Sequence, residues 1–292
     1  MFLKGKKKFW AIILFSAPGL IIYFVLVLIP VIKGFALSTY RWTSLTKKFF
    51  VGFDNYAVVL SDAVFQKSFI NSLIFMVASS VSQLILGFIL GYLLYLQVRK
   101  YKIYKTIFFI PAVLSTTAVG FIGNYILSPA FGLVKPAMKA LGLSQYYSAP
   151  LANASLALMF IVIAQLWAHL GVQIMMFNSA FMSNSQEVIE MSLIDGATGI
   201  KQIRYMVIPL AMEVIKVIVV LQVIGSLKAF DLIFVMTRGG PNHATEVLPM
   251  NMFLTAFESF KFGEGSVVGV IIFLLSIGIT IGLKKVLKTD NN

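Results

Sequence analysis

The residues best placed to do chemistry lie in one polar stretch between two long apolar runs, SQEVIEMSLIDGATGIKQIRYMVIPL at 185–210. Glu187 and Glu190 are three apart and share one helical face, while Val188, Met191 and Ile194 share another. Asp195 suits the cap of a second short helix and Gly196 a sharp turn. Beyond the turn, Ile200 and Ile203 repeat at helical spacing beside Lys201 and Arg204. Pro209 then opens the next apolar run, at a first-turn position where a missing N–H costs little. The pattern describes a helix–turn–helix with an acidic first arm and a basic second arm. Its chemistry is charge pairing: the stretch either anchors itself at an interface or offers Glu190 and its neighbours to a partner.

Other chemistries find few residues. There is no cysteine, which excludes disulfides, thiolate catalysis and cysteine metal sites. No G-x-x-x-x-G-K-[ST] segment occurs, so the chain has no phosphate-cradling loop and reads as no ATPase and no enzyme. His169 and His243 are the only histidines, on different segments and without carboxylates at metal-ligand spacing, so no metal site and no bound cofactor are expected. Asn71, Gln83, Asn124, Gln165, Gln173, Asn178 and Gln222 lie within or beside apolar runs. They can reach into a central cavity and bind hydroxyls, or hydrogen-bond one helix to another. All of these except Asn178, together with Trp167 and Asp231, are the candidates for a substrate pathway. Glu213, Lys216, Lys228 and Asp231 form two i,i+3 pairs of opposite charge in one run. Such groups either compensate each other or, in a secondary transporter, couple to protons or sodium.

The elements that must carry these residues are membrane helices. Hydrophobic residues make up 59% of the 292, charged residues only 12%, and the mean hydropathy is +0.90. A soluble chain carries about twice that share of charge. Apolar runs long enough to cross hydrocarbon fall at about 9–37, 69–96, 106–127, 154–180, 210–236 and 264–283. Together they form a single all-α membrane domain over 1–292, with a cytoplasmic loop at 181–209. The basic start KGKKK precedes an apolar stretch too long for a signal peptide's core, so it reads as an uncleaved first span. Residues 1–8, 97–106, 181–208 and 284–292 carry Lys and Arg at more than twice the density of 33–68, 128–153 and 237–262. That bias places the first set, with both termini, in the cytoplasm. The net charge of +13 gathers in clusters at the ends of apolar runs, where it meets membrane lipid rather than nucleic acid. The outer loops are expected to hold short helices near Tyr56–Phe65 and Val134–Leu141. Gly87 with Gly91, and Gly265 with Gly269, have the small-xxx-small spacing of close helix contacts.

The 185–210 stretch resembles the coupling loop of binding-protein-dependent ABC importer permeases, E-A-A, three residues, Gly, nine residues, I-x-L-P. Here Glu190-Met191-Ser192 is followed by Leu193-Ile194-Asp195, Gly196 and, nine residues on, Met206-Val207-Ile208-Pro209. Asp195-Gly196-Ala197 is similar to the carbohydrate-uptake branch. VGFDNY at 51–56, Trp167 and Gly171, Phe230-Asp231, and Thr237-Arg238-Gly239-Gly240-Pro241 also resemble family elements. Asn184-Ser185 stands where an Ile-Pro is customary, and Arg238 where a Gly is. The resemblance implies six spans in the type I importer fold, in a bacterial cytoplasmic membrane. It implies a related second permease, because the Gly-Gly-Pro element marks one of two paired types. It also implies two ATPase subunits that hold the ATP and Mg, and an extracytoplasmic binding protein. Glu187, Glu190, Asp195, Gly196, Ala197 and Pro209 would then serve ATPase coupling.

Overall fold

The computed structural model describes residues 6–43, 48–96, 101–182, 191, 194 and 197–287. Backbone polar groups in hydrocarbon must be satisfied within their own segment, and the chain is accordingly helical. In order come α1 (Lys6–Tyr23), α2 (Ile29–Ser38), a two-stranded hairpin β1 (Tyr40–Trp42) and β2 (Lys48–Phe50), and α3 (Asp54–Ser61). Then follow α4 (Ala63–Tyr95), α5 (Tyr101–Val113), α6 (Thr116–Leu127), α7 (Val134–Ala140) and α8 (Ala157–Met182). The chain ends through α9 (Ile208–Leu227), α10 (Asp231–Thr237), α11 (Leu248–Phe253) and α12 (Phe262–Val286). Among the described residues five helical stretches are long and apolar enough to cross a membrane: Ile13–Ser38, Ala63–Tyr95, Ala157–Met182, Ile200–Thr237 and Phe262–Val286.

The third expected run, 106–127, is not straight. Lys102–Val113 and Thr116–Leu127 meet at 94°. Pro111 weakens the end of α5 by removing a backbone donor. Ser115 then starts a new helix by accepting from the Ala118 N–H at 3.2 Å. Two other prolines interrupt nothing. Pro30 and Pro209 each sit in the first turn of an α-helix that follows a five-residue π-turn, Phe24–Leu28 and Ile203–Val207. A π-turn widens the hydrogen-bond register, so the proline ring enters where the strict α ladder would have needed its N–H. The second arm of the polar stretch therefore runs into α9 without a break, whereas the sequence suggested a fresh start at Pro209.

Contacts gather the chain into two compact units, Met1–Asp62 with Met252–Ile271, and Ala63–Asn251 with Ile272–Asn292. In the first, the VGFDNY segment closes the hairpin onto the end of α2. Gly52 takes φ +58°, open only to glycine at low cost. Asn55 donates from Nδ2 to the carbonyls of Ser38, at 2.8 Å, and Tyr40, at 2.9 Å. Gly263 lies against the same Tyr40 carbonyl, and a side chain there would collide with it. Within this unit Gly265 packs on Ala256 in the same way.

In the second unit α4 lies along α8. A β-carbon at Gly87 would come within 2.7 Å of Gln173 Cβ, and one at Gly91 within 2.8 Å of Phe177 Cβ. The glycine pair is thus a true close-approach face. Phe88, Tyr92, Tyr95, Phe177 and Phe181 form an aromatic cluster beside it, with edge-to-face pairs such as Phe88–Phe181 at 5.2 Å. Gly171 touches the Phe108 carbonyl, which lets α5 cross α8 at backbone distance.

Candidate functional site

The densest polar construction in the second unit is the loop from Arg238 to Leu248. α10 ends at Thr237, and Arg238 turns the chain with φ +47° in the left-handed region. A glycine would hold that conformation without strain, so the arginine found where the family pattern has glycine is accommodated at some cost. Its guanidinium lies 5.2 Å from the Phe234 ring centroid, a cation–π contact that offsets part of it. Gly239 follows at φ +84°, and a β-carbon there would lie 3.2 Å from Glu246 Cβ. Thr237 and Thr245 face each other with hydroxyls 2.7 Å apart, and Thr245 Oγ1 also donates to the Gly240 carbonyl at 2.8 Å.

Glu246 is the centre of this loop. Its residue is 1% exposed, and a buried carboxylate persists only when donors surround it. Oε1 accepts from Ser68 Oγ at 3.2 Å and from Asn251 Nδ2 at 2.8 Å, while Oε2 lies 2.5 Å from His243 Nδ1. α4 grips the loop backbone too. Asn71 Nδ2 donates to the carbonyls of His243, at 3.1 Å, and Glu246, at 3.0 Å. Lys67 Nζ donates to the Asn242 carbonyl at 2.7 Å, and Ser72 Oγ accepts from the Leu248 N–H at 2.7 Å. Sequence reasoning passed over Glu246 and left His243 without a carboxylate. The available signal was a lone Glu opening an otherwise apolar stretch, three residues after that histidine.

The remaining pathway candidates do not converge. Asn71 is committed to the loop just described. Asn124 Nδ2 donates to the Met236 carbonyl at 3.3 Å. Gln173 and Gln222 meet between α8 and α9, with Gln173 Nε2 donating to Gln222 Oε1 at 2.5 Å, and Gln83, also buried, lies one turn before the Gly87 that packs on Gln173. Gln165 is buried on α8, while Trp167, two residues on, is exposed. Asp231 is exposed as the first residue of α10. It pairs with no Lys228, because α9 ends at Leu227 and the i,i+3 geometry is lost across the break. Glu213 and Lys216, within α9, do pair at 2.7 Å.

Of the polar stretch, Glu187, Glu190, Asp195 and Gly196 lie outside the described residues. Ala197 is half-buried and Pro209 exposed. Gly199 turns at φ +56° ahead of the helical segment that begins at Ile200. Met191, Ile194, Ile200 and Tyr205 are 54%, 86%, 82% and 66% exposed.

Apolar helices of spanning length and a bent pair define a multi-pass membrane protein. Residues 83–288 match the family described as binding-protein-dependent transport system inner membrane component, and the chain belongs to that family. It is 31% identical over 278 residues to the multiple sugar-binding transport system permease protein MsmF of Streptococcus mutans, covering 94% of each chain. It is 29% identical to the probable ABC transporter permease protein YurN of Bacillus subtilis, over 94% of this chain and 95% of that one. Among solved structures, a bacterial ABC transporter that imports the acidic polysaccharide alginate matches with a TM-score of 0.80 at 20% identity, over 98% of each chain. The alginate transporter in complex with its pentasaccharide-bound periplasmic protein matches with a TM-score of 0.84 at 18% identity, over 97% of each. These two establish the fold.

Proposed function

We propose that this chain is one of two related permease subunits of a bacterial, ATP-driven importer that moves a sugar or oligosaccharide across the cytoplasmic membrane by alternating access. The observation that carries the reading is the family match over 83–288, joined to sugar-permease relatives that align along almost the whole chain. ATP and Mg belong to two partner ATPase subunits, and an extracytoplasmic binding protein delivers the sugar. The ATPases dock on the 181–209 loop. Glu190 meets a basic group there, assisted by Glu187, while Asp195, Gly196 and Ala197 set the angle of the arms. The exposed apolar side chains of Met191, Ile194 and Ile200 support this, since such a patch at a loop is covered by a partner. Because the stretch after Gly199 is continuous with α9 through Pro209, a push on the loop is carried directly into a spanning helix.

An ion-coupled transporter is the second reading, and the geometry gives it little. Among the described residues the one buried carboxylate is Glu246, which sits in a loop and is held by three donors. Glu213 is exposed and paired.

Affinity purification from native membranes tests the assembly. One related permease and two ATPase copies should accompany each copy of this chain. Recovery of the chain alone from gently solubilised membranes, still able to transport, would overturn the reading. Both termini are proposed to be cytoplasmic, with the bent pair counted as the third of six spans. The chain has no cysteine, so one introduced after Asn292 is a clean reporter. It should resist a membrane-impermeant maleimide in intact cells and react once they are opened. Labelling from outside would contradict the topology.

A further inference from the structure

Three buried amide atoms between α4, α8 and α9 have no partner among the described protein groups: Nε2 and Oε1 of Gln83, and Oε1 of Gln173. Gln83 is fully buried and Gln173 is 6% exposed. Ser80, Gln83 and Gly87 follow one another along one face of α4. From that face Ser80 Oγ donates to Ser226 Oγ at 3.3 Å, and Ser226 Oγ accepts from Gln222 Nε2 at 3.0 Å. Gln222 Oε1 accepts from Gln173 Nε2, and Gln173 in turn packs against Gly87. The hydrogen bonds thus run from Ser80 on α4 through α9 to Gln173 on α8, which packs back on α4 at Gly87. Gln83 stands between the two ends.

Leaving polar atoms unmet in such a place costs their full desolvation, so native structures rarely do it. We propose that this ring binds one internal water molecule. The bookkeeping of donors and acceptors fits a single water. It accepts from the Gln83 amide N–H, donates one hydrogen to Gln83 Oε1 and the other to Gln173 Oε1, making the roughly three bonds usual for a buried water. Direct pairing of the two glutamines would satisfy one acceptor and strand the other. A cation is disfavoured because no carboxylate belongs to the ring. The three glutamines, which the sequence offers either as hydroxyl-binding groups of a cavity or as ties between helices, then form a hydrated seam inside the subunit.

Gln83→Met removes the amide at nearly constant shape, and its effect on thermal stability differs in sign between a wet and a dry site. With water present, the variant strips that water of two bonds, and the melting temperature of the purified importer should fall. In a dry site it deletes two unmet polar atoms, so an unchanged or raised melting temperature would overturn the proposal. The KM for sugar in stimulated ATP hydrolysis should stay at the wild-type value, and a raised KM would make the ring a sugar contact instead. A wild-type map sharp enough to show ordered waters gives the test that needs no variant. Density within hydrogen-bond distance of Gln83 and Gln173 is expected. Its absence, in a map that shows other buried waters, would overturn the site.

Discussion

Replacing Glu246 by Ala is expected to destabilise the assembled importer by about 3 kcal/mol, because hydrogen bonds to charged groups contribute roughly 1.5–3 kcal/mol each and stranded donors cost more. Asn251 and His243 would lose their acceptor together, while Ser68 Oγ keeps the Val64 carbonyl at 2.8 Å. His243 is half-exposed and can turn to water, but Asn251 is buried and cannot. The side-chain link between α4 and the loop after α10 would go, leaving the backbone grips of Lys67, Asn71 and Ser72. Glu246→Gln keeps the shape and an acceptor oxygen, so its loss should be about half as large. Thermal unfolding followed by tryptophan fluorescence reads both. If the two variants melt with the wild type, Glu246 does not hold the loop, and its burial has another cause.

The second large effect is expected in the loop at 181–209. Glu190→Lys replaces the charge-assisted contact proposed above, worth roughly 1.5–3 kcal/mol, by repulsion. Binding of the ATPase should therefore weaken by one to two orders of magnitude, since each 1.4 kcal/mol is about tenfold. Insertion and folding of the spans should be unaffected, because the loop lies between them. Gly196→Pro should act differently. The ATPase should still co-purify, but sugar-stimulated hydrolysis in liposomes should collapse, as the arms no longer hold their angle. Wild-type docking and wild-type stimulation in both variants would reduce the loop to an anchor.

Membrane helices were legible in the sequence because the bilayer imposes a length that composition alone reveals. Their interruptions were not. Pro30, Pro111 and Pro209 look alike in sequence, yet Pro111 lies at a sharp bend and the other two are absorbed by π-turns. The difference lies in the residues around each, notably the capping Ser115 beside Pro111. The break at Lys228 was hidden in the same way, since Gly225, the nearest glycine, lies within the last turn of α9 and not at the break. The short hairpin at Tyr40–Phe50 was missed, being only three residues to a strand, although Gly52 and Asn55, which close it, stood out as a motif. For the candidate site, an amide that lines a cavity and one that ties helices together have the same letter. The partners of Asn71, Gln173 and Gln222 became visible only in the fold. Glu246 was obscured by the opposite problem. A carboxylate amid apolar residues looks like an exposed loop charge until the residues of α4, far away in sequence, are found around it.

The central claim, that this chain transports only as part of an ATP-driven assembly, is most directly tested by uptake into liposomes. The purified assembly and its co-purifying binding protein would be reconstituted with ATP inside the vesicles exposed to the ATPases, and with the radiolabelled sugar that the binding protein carries. Uptake is expected only when permeases, ATPases, binding protein and ATP are all present, and it should ignore imposed proton or sodium gradients. Gradient-driven uptake by liposomes containing this chain alone, without ATP or ATPase, would contradict the account.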